Sequence, residues 1–131
     1  MREFVASIEG EYRRYKALGE ATLEQVRDED LCAREHEATN SIATIVWHVS
    51  GNLSSRFSDF LHADGEKPWR DRDEEFVART VTRTDLMGKW QQGWSVLVSQ
   101  MAFFALFAFG AAACFAWYAR NYVMVDHYRV D

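Results

Sequence analysis

The residue whose type and setting could do chemistry is His48, in the run Asn40-Ser41-Ile42-Ala43-Thr44-Ile45-Val46-Trp47-His48-Val49-Ser50-Gly51-Asn52. Imidazole changes charge near neutral pH and is the commonest protein ligand for metals. The apolar residues of this run repeat at helical spacing, and His48 falls at the flank of their stripe. From there a side chain can lean into a bundle core and offer a nitrogen to a cation. One imidazole does not make a reactive centre, which needs three protein ligands and an open coordination position. Taken alone, His48 reads first as a histidine satisfied by a core partner. Asn52 and Arg56 follow at four-residue steps on the same helix side, either to orient the imidazole or, more simply, as solvated polar groups. His36, in a polar connection, and His62, just past the apolar stripe, read as surface side chains.

Other chemistries lack their signatures. There is no G-x-S-x-G, P-loop, Rossmann glycine pattern or H-E-x-x-H. Cys32 and Cys114 lie far apart with no C-x-x-C, which predicts reduced thiols in a cytosolic compartment. A formal net charge of −5 argues against a nucleic-acid partner, which would need a basic surface. Glu3, Glu9 and Glu11 near the start, with no apolar stretch beside them, predict no secretory signal.

The elements that must position His48 read as helices. Strand-like alternation is absent, and Pro68 is the one proline in 131 residues. Phe4, Ile8, Tyr12, Tyr15 and Leu18 form a helical stripe, predicting a first helix over about residues 2–27 with Gly19 a mild weakness near its end. Leu31 to Thr39 is a polar connection. Asn40 or Ser41 is predicted to cap a second helix, whose stripe runs from Ile42 through Phe57, Phe60 and Leu61 to about residue 62. Gly65 and Pro68 mark a loop. The charge run from Arg70 to Glu75 is predicted to be a solvated loop face. Thr82 and Asp85 have capping-box spacing, and Leu86, Trp90, Trp94, Leu97 and Met101 mark a third helix behind them.

Charge then disappears. Residues 1–89 carry 13 Lys and Arg and 18 Asp and Glu, whereas Trp90 to Ala119 carries none. Trp94 to Tyr118 would span about 37 Å as a helix, against a hydrocarbon core of about 30 Å. Trp90 and Trp94 at one end and Trp117, Tyr118 and Tyr122 at the other resemble an aromatic belt. Ala108, Ala112 and Ala116 form a small-residue face on which another helix could pack closely. The segment is therefore predicted to span a membrane over residues 94–118, with an enclosed bundle helix as the competing reading. Arg79, Arg83 and Lys89 weakly favour a cytoplasmic N-terminal part anchored to an inner membrane, the alternative being a soluble cytoplasmic protein. The abruptness of the switch near Gln100 would also fit an altered reading frame or a fusion.

Over about residues 1–100 the chain resembles the DinB/YfiT (DinB-like) superfamily of metalloenzymes, in a branch with no assigned activity. The resemblance rests on Glu11-Tyr12-Arg13-Arg14-Tyr15-Lys16, on Asn40-Ser41-Ile42-Ala43 leading into Val46-Trp47-His48-Val49-Ser50-Gly51-Asn52, and on Ser55-Arg56-Phe57-Ser58-Asp59-Phe60-Leu61. It continues through Asp64-Gly65-Glu66-Lys67-Pro68-Trp69-Arg70-Asp71-Arg72 and from Thr84-Asp85-Leu86 to Gly93-Trp94, the Gly65–Trp69 text being the most distinctive. The resemblance implies a four-helix bundle binding zinc or nickel through three histidines, one on the second helix and an H-x-x-x-H pair on the last. Relatives include thiol-dependent transferases and isomerases. His48 matches the first ligand, but the pair is missing. His127 lies 33 residues after Trp94, and the position four later is Asp131. These two would share a helix face, and two histidines with a carboxylate can hold zinc or iron. Asp131, however, is the last residue of the sequence, and a membrane span would put His127 across the bilayer from His48.

The sequence therefore predicts an all-α, DinB-like up-down bundle with three recognisable helices and a strongly apolar C-terminal one, divided as a helical domain over 1–95 and an apolar helix with a short tail over 96–131. Functionally it predicts a non-catalytic, degenerate relative with an incomplete divalent-metal (zinc or nickel) site, anchored through its last helix or completing its bundle as a homodimer. The rival is a divalent-metal-dependent thiol transferase or hydrolase using His48, His127 and Asp131.

Overall fold

A computed structural model describes residues 2–118 and 120. Among them all regular structure is helical: α1 (Arg2–Gln25), a 3-10 turn at Asp28–Asp30, α2 (Ile42–Phe57), the single-turn α3 (Arg72–Glu75) and α4 (Arg83–Tyr118). The all-α class and the long apolar C-terminal helix are as the sequence predicts. The predicted third helix and the apolar segment are one element, since α4 runs for 36 residues through residue 95 without interruption.

α4 is the spine on which α1 and α2 pack. Its start is fixed by the predicted capping box: Asp85 N–H donates to Thr82 Oγ1 (3.1 Å), and Thr82 N–H donates back to the Asp85 carboxylate (3.2 Å). Leu86, Trp90, Trp94 and Leu97 then recur at steps of three and four, and all are buried. The two tryptophans expected to bracket a membrane span are thus core residues of the bundle. They meet Leu23 of α1, Ala43 and Val46 of α2, and Leu31 of the connection.

α2 begins at the predicted cap. Ser41 Oγ accepts from Thr44 N–H at 3.1 Å, and Ala43 N–H donates to the Leu31 carbonyl at 2.9 Å, tying the polar connection to the helix start. The helix stops at Phe57, five residues short of the expected end. Ser58 is extended and Asp59 is left-handed, with φ of 48°. Asp tolerates that conformation, and its carbonyl accepts from the amides of His62 and Ala63 (3.1 and 3.0 Å) while its carboxylate meets His62 Nδ1 at 2.9 Å. Those local bonds replace the next helical turn.

α1 keeps part of the predicted face, with Ile8 and Tyr12 half-buried, and departs from it at Phe4, Tyr15 and Leu18. Phe4, Tyr15 and Leu18 are more than half exposed, whereas Leu23 is buried and Tyr12 and Val26 pack on the core. Gly19, read as a mild weakness of the helix, is also where α1 meets α4. A Cβ there would lie 2.6 Å from the Trp90 ring, so the indole fits because the side chain is absent. The Arg83 guanidinium donates to the carbonyls of Leu23 (2.8 Å) and Val26 and to the Asp28 carboxylate (2.5 Å), closing the C-terminal end of α1 over the start of α4.

The α2–α4 contact sets backbone against backbone. A Cβ on Gly93 would lie 2.7 Å from Ser50 Cα, and Ser50 Oγ donates to the Lys89 carbonyl at 2.8 Å. Backbone cannot move aside as a flexible side chain can. Gly93→Ala should destabilise the fold by about 1–3 kcal/mol in a denaturant titration, the usual range for overpacking. Gly88→Ala, on the same helix with open space around it, should instead stabilise by up to about 1 kcal/mol.

Candidate functional site

His48 lies where α2 meets the loop that carries α3. Its Nδ1 is 2.9 Å from Glu75 Oε2, and its ring packs on Phe76 with centroids 4.7 Å apart. Glu75 is the last residue of α3, and Phe76 follows it. The imidazole therefore does lean on a buried polar partner, but that partner belongs to the charge run that the sequence predicts to be solvated. Asp71 to Glu74 are exposed, as expected. The two ends of the run are not: the Arg70 and Glu75 side chains are 5% and 9% exposed.

The pair is bidentate. Arg70 Nε donates to Glu75 Oε1 at 2.8 Å and Nη2 to Oε2 at 2.9 Å, while Nη1 donates to Ser55 Oγ at 3.0 Å. Ser55 is itself buried on α2. One carboxylate thus holds a guanidinium and an imidazole, and the guanidinium holds a hydroxyl. The site for that carboxylate is made by Gly51: a Cβ there would stand 2.0 Å from Glu75 Oε1. Glycine is needed here for close approach, with the carboxylate lying on the helix backbone itself.

Two local causes set this geometry. Asp71 caps α3, its carboxylate accepting from Glu74 N–H at 3.1 Å, which turns the chain so that Arg70 and Glu75 face one another across one helical turn. The Arg79 guanidinium then donates to the carbonyls of Glu74 and Val77 (2.5 and 3.2 Å) and lies over the Trp47 ring, 4.7 Å from its centroid. Behind the pair, a cleft of about 540 Å³ opens between α2, α4 and this loop; Trp47, Trp69, Arg79 and Lys89 line it.

Burial pushes the Glu75 carboxyl up. The hydrogen bonds and charges of Arg70 and His48 outweigh that and hold it below the ordinary glutamate value. The same contact, opposed by burial, raises the Arg70 guanidinium further above its already high value. Both groups are therefore ionised at neutral pH.

The remaining sequence candidates separate. His36 and His62 are exposed, the latter paired with Asp59, in line with the surface reading. Arg56 is exposed, and the Asn52 carbonyl accepts from Ser55 Oγ at 3.3 Å. Among the described residues, neither side chain hydrogen-bonds to His48. His127 and Asp131 lie outside the described residues. Of the three histidine ligands that the resemblance implies, the described residues include one, His48, and no group of three His, Cys, Asp or Glu side chains among them is placed to hold a metal. The described residues do not by themselves fit that centre. The carboxylate beside His48 already has both oxygens on Arg70.

Residues 1–106 match a family described as a protein of unknown function (DUF1572). The chain belongs to that family. No curated protein and no solved structure matches it. The matched residues end close to where α4 leaves the bundle, since Met101 still packs on the core and the helix is mostly exposed beyond it.

Arg70 and Glu75 are the residues that sequence reasoning missed. A signal was present: Asp71 and Glu74 have capping spacing, which predicts a helix start inside the run and separates the residues flanking it from those on its outer face. Glu75→Ala leaves the buried guanidinium without its counter-charge and should cost about 3–5 kcal/mol by chemical denaturation, the usual penalty for breaking a buried pair from one side. Glu75→Gln tests the charge itself. A carboxyl held low in the folded state contributes stability that is complete above the ordinary glutamate value of about 4.5 and is lost as pH falls through its lower folded value. The wild-type protein should lose stability on acidification through that window, and Glu75→Gln should show a visibly shallower decline there.

Proposed function

We propose that this chain is a DinB-like helical protein that does not work as a metal-dependent enzyme, with a bundle domain whose helix-two histidine has a structural role and whose apolar last helix anchors it to a membrane. The observation that carries this reading is the saturation of Glu75. Its carboxylate binds Arg70 through both oxygens and His48 through one, so the acid nearest the imidazole is committed to an ion pair. A single imidazole would not retain a divalent cation at cellular concentrations, because affinity falls steeply with each lost ligand. His48 then serves to fasten the Arg70–Phe76 loop to α2.

The anchor is supported by the second half of α4. Phe103, Leu106, Phe107, Phe109, Phe115 and Trp117 are all more than half exposed, and they point to every side of the helix. A helix apolar all round is at home in a protein core or in lipid, and only 6% of its most apolar window is buried.

One observation favours the rival enzyme, a divalent-metal-dependent thiol transferase or hydrolase using His48, His127 and Asp131. A carboxylate on Nδ1 leaves Nε2 as the free nitrogen, and metal-bound histidines are commonly oriented in that way. Metal analysis of the purified full chain separates the two. The expected result is zinc and nickel well below one equivalent and unchanged in His48→Ala. A full equivalent lost in both His48→Ala and Asp131→Ala would establish the enzyme's site instead. For the anchor, the expected result is recovery in the membrane pellet after high-salt and alkaline washes, with release by detergent. Recovery in the soluble fraction without detergent would remove it.

A further inference from the structure

α4 leaves the bundle with no spacer between its buried half and its exposed apolar half. The uncharged run starts at Trp90, but Trp90, Trp94 and Leu97 are buried among α1 and α2 and are unavailable to lipid. Met101 still packs on the core, and Phe104 packs on Phe60 with ring centroids 4.7 Å apart. From Ala102 to Trp117 the described side chains are exposed, apart from Phe104. About 25 Å of described helix, from Ala102 to Tyr118, therefore starts directly at the end of the bundle.

The end of the bundle at that level has a matching character. Leu61, next to Phe60, is 56% exposed. α1 runs antiparallel to α4, with Gly19 on Trp90, Glu20 on Gln91, and Glu9 and Tyr12 beside Met101 around one small cavity. Continued at about 1.5 Å per residue, that register brings Phe4, 68% exposed, beside the stretch of α4 just past Phe104. Two large apolar side chains from separate elements therefore collar the base of the exposed helix. α4 is unbroken from Arg83, so no hinge lies between bundle and exposed segment.

We infer that this end of the bundle docks into the bilayer interface, with Phe4 and Leu61 in the headgroup layer and α4 continuing from there into the hydrocarbon. This rests on the membrane anchor proposed above and adds where the domain sits. With no polar spacer before the exposed segment, the residues around its exit reach the interface with it, and here those are the first turn of α1 and the loop after α2. The partner is a lipid surface, because the exposed side chains surround the helix and a second copy would cover one side. With Asp59, Asp64 and Glu66 in the loop around Leu61, the contact rests on apolar burial without attraction to anionic headgroups.

The test places an environment-sensitive fluorophore on single cysteines in the full chain, with Cys32→Ser and Cys114→Ser removing the native thiols. The protein is reconstituted into phosphatidylcholine vesicles and labelled at Phe4→Cys, Leu61→Cys, Phe107→Cys and, at the opposite end of the bundle, Glu37→Cys. Labels at positions 4, 61 and 107 should emit at shorter wavelength and lose quenching by aqueous iodide, while the label at 37 remains fully quenched. Shielding at 107 with free quenching at both 4 and 61 would leave the anchor standing and overturn the docking. Free quenching at 107 would overturn the anchor and the docking together. Shielding at 107 in a detergent-free soluble dimer would give that surface to a second copy and would also overturn the inference.

Discussion

The carboxylate of Glu75 is the contact on which the functional half of this bundle depends. It lies against the backbone of α2 at Gly51, accepts two hydrogen bonds from Arg70 and a third contact from His48, and joins the loop after α2 to the helix it came from. A buried carboxylate is costly to desolvate, and this one is tolerated because partners surround it. Without it the guanidinium and the imidazole would each lose a partner. The arrangement makes the loop a structural part of the domain. It also fixes which nitrogen of His48 stays free.

The rest of the bundle is organised by close approach to α4. Gly19 admits Trp90 and Gly93 admits the α2 backbone, so both neighbouring helices come nearer than side chains on those positions would permit. This economy uses up the first half of the long helix. What remains, from about Ala102, has no covering element among the described residues, and its apolar side chains are exposed on all sides. One helix therefore does two unlike things. Its first five turns are the spine of a water-facing domain carrying the charges of α1 and the α3 loop, and its last turns have the composition of a lipid-facing segment. The family match ends near the same place.

Much of the local structure was legible from residue types. The Ser41 cap, the Thr82–Asp85 capping box, the helical stripe through Leu86, Trp90, Trp94 and Leu97, and the exposed apolar tail all follow from side-chain chemistry within a few residues. The errors share a cause. Spacing puts Tyr15 and Leu18 on the core face of α1, whereas Trp90 packs on Gly19, which no stripe of large apolar residues marks. Phe60 and Leu61 continue the spacing of α2, whereas Asp59 offers local bonds that end the helix. Arg70 and Glu75 read as solvated because a run of charges usually is, and the capping spacing of Asp71 and Glu74 marks the turn between them without saying what it packs against.

By itself the sequence determined the all-helical class, the positions of the caps, the candidate imidazole and the break in charge at Trp90. These are properties of periodicity and composition, which act over one or two turns. Only the tertiary structure decided what His48 touches, since its partner lies 27 residues away and meets it through a loop folded back on α2. It likewise decided that Trp90 and Trp94 belong to the bundle core, because burial depends on which helices arrive, and that is set by glycines whose missing side chains carry no signal of their own.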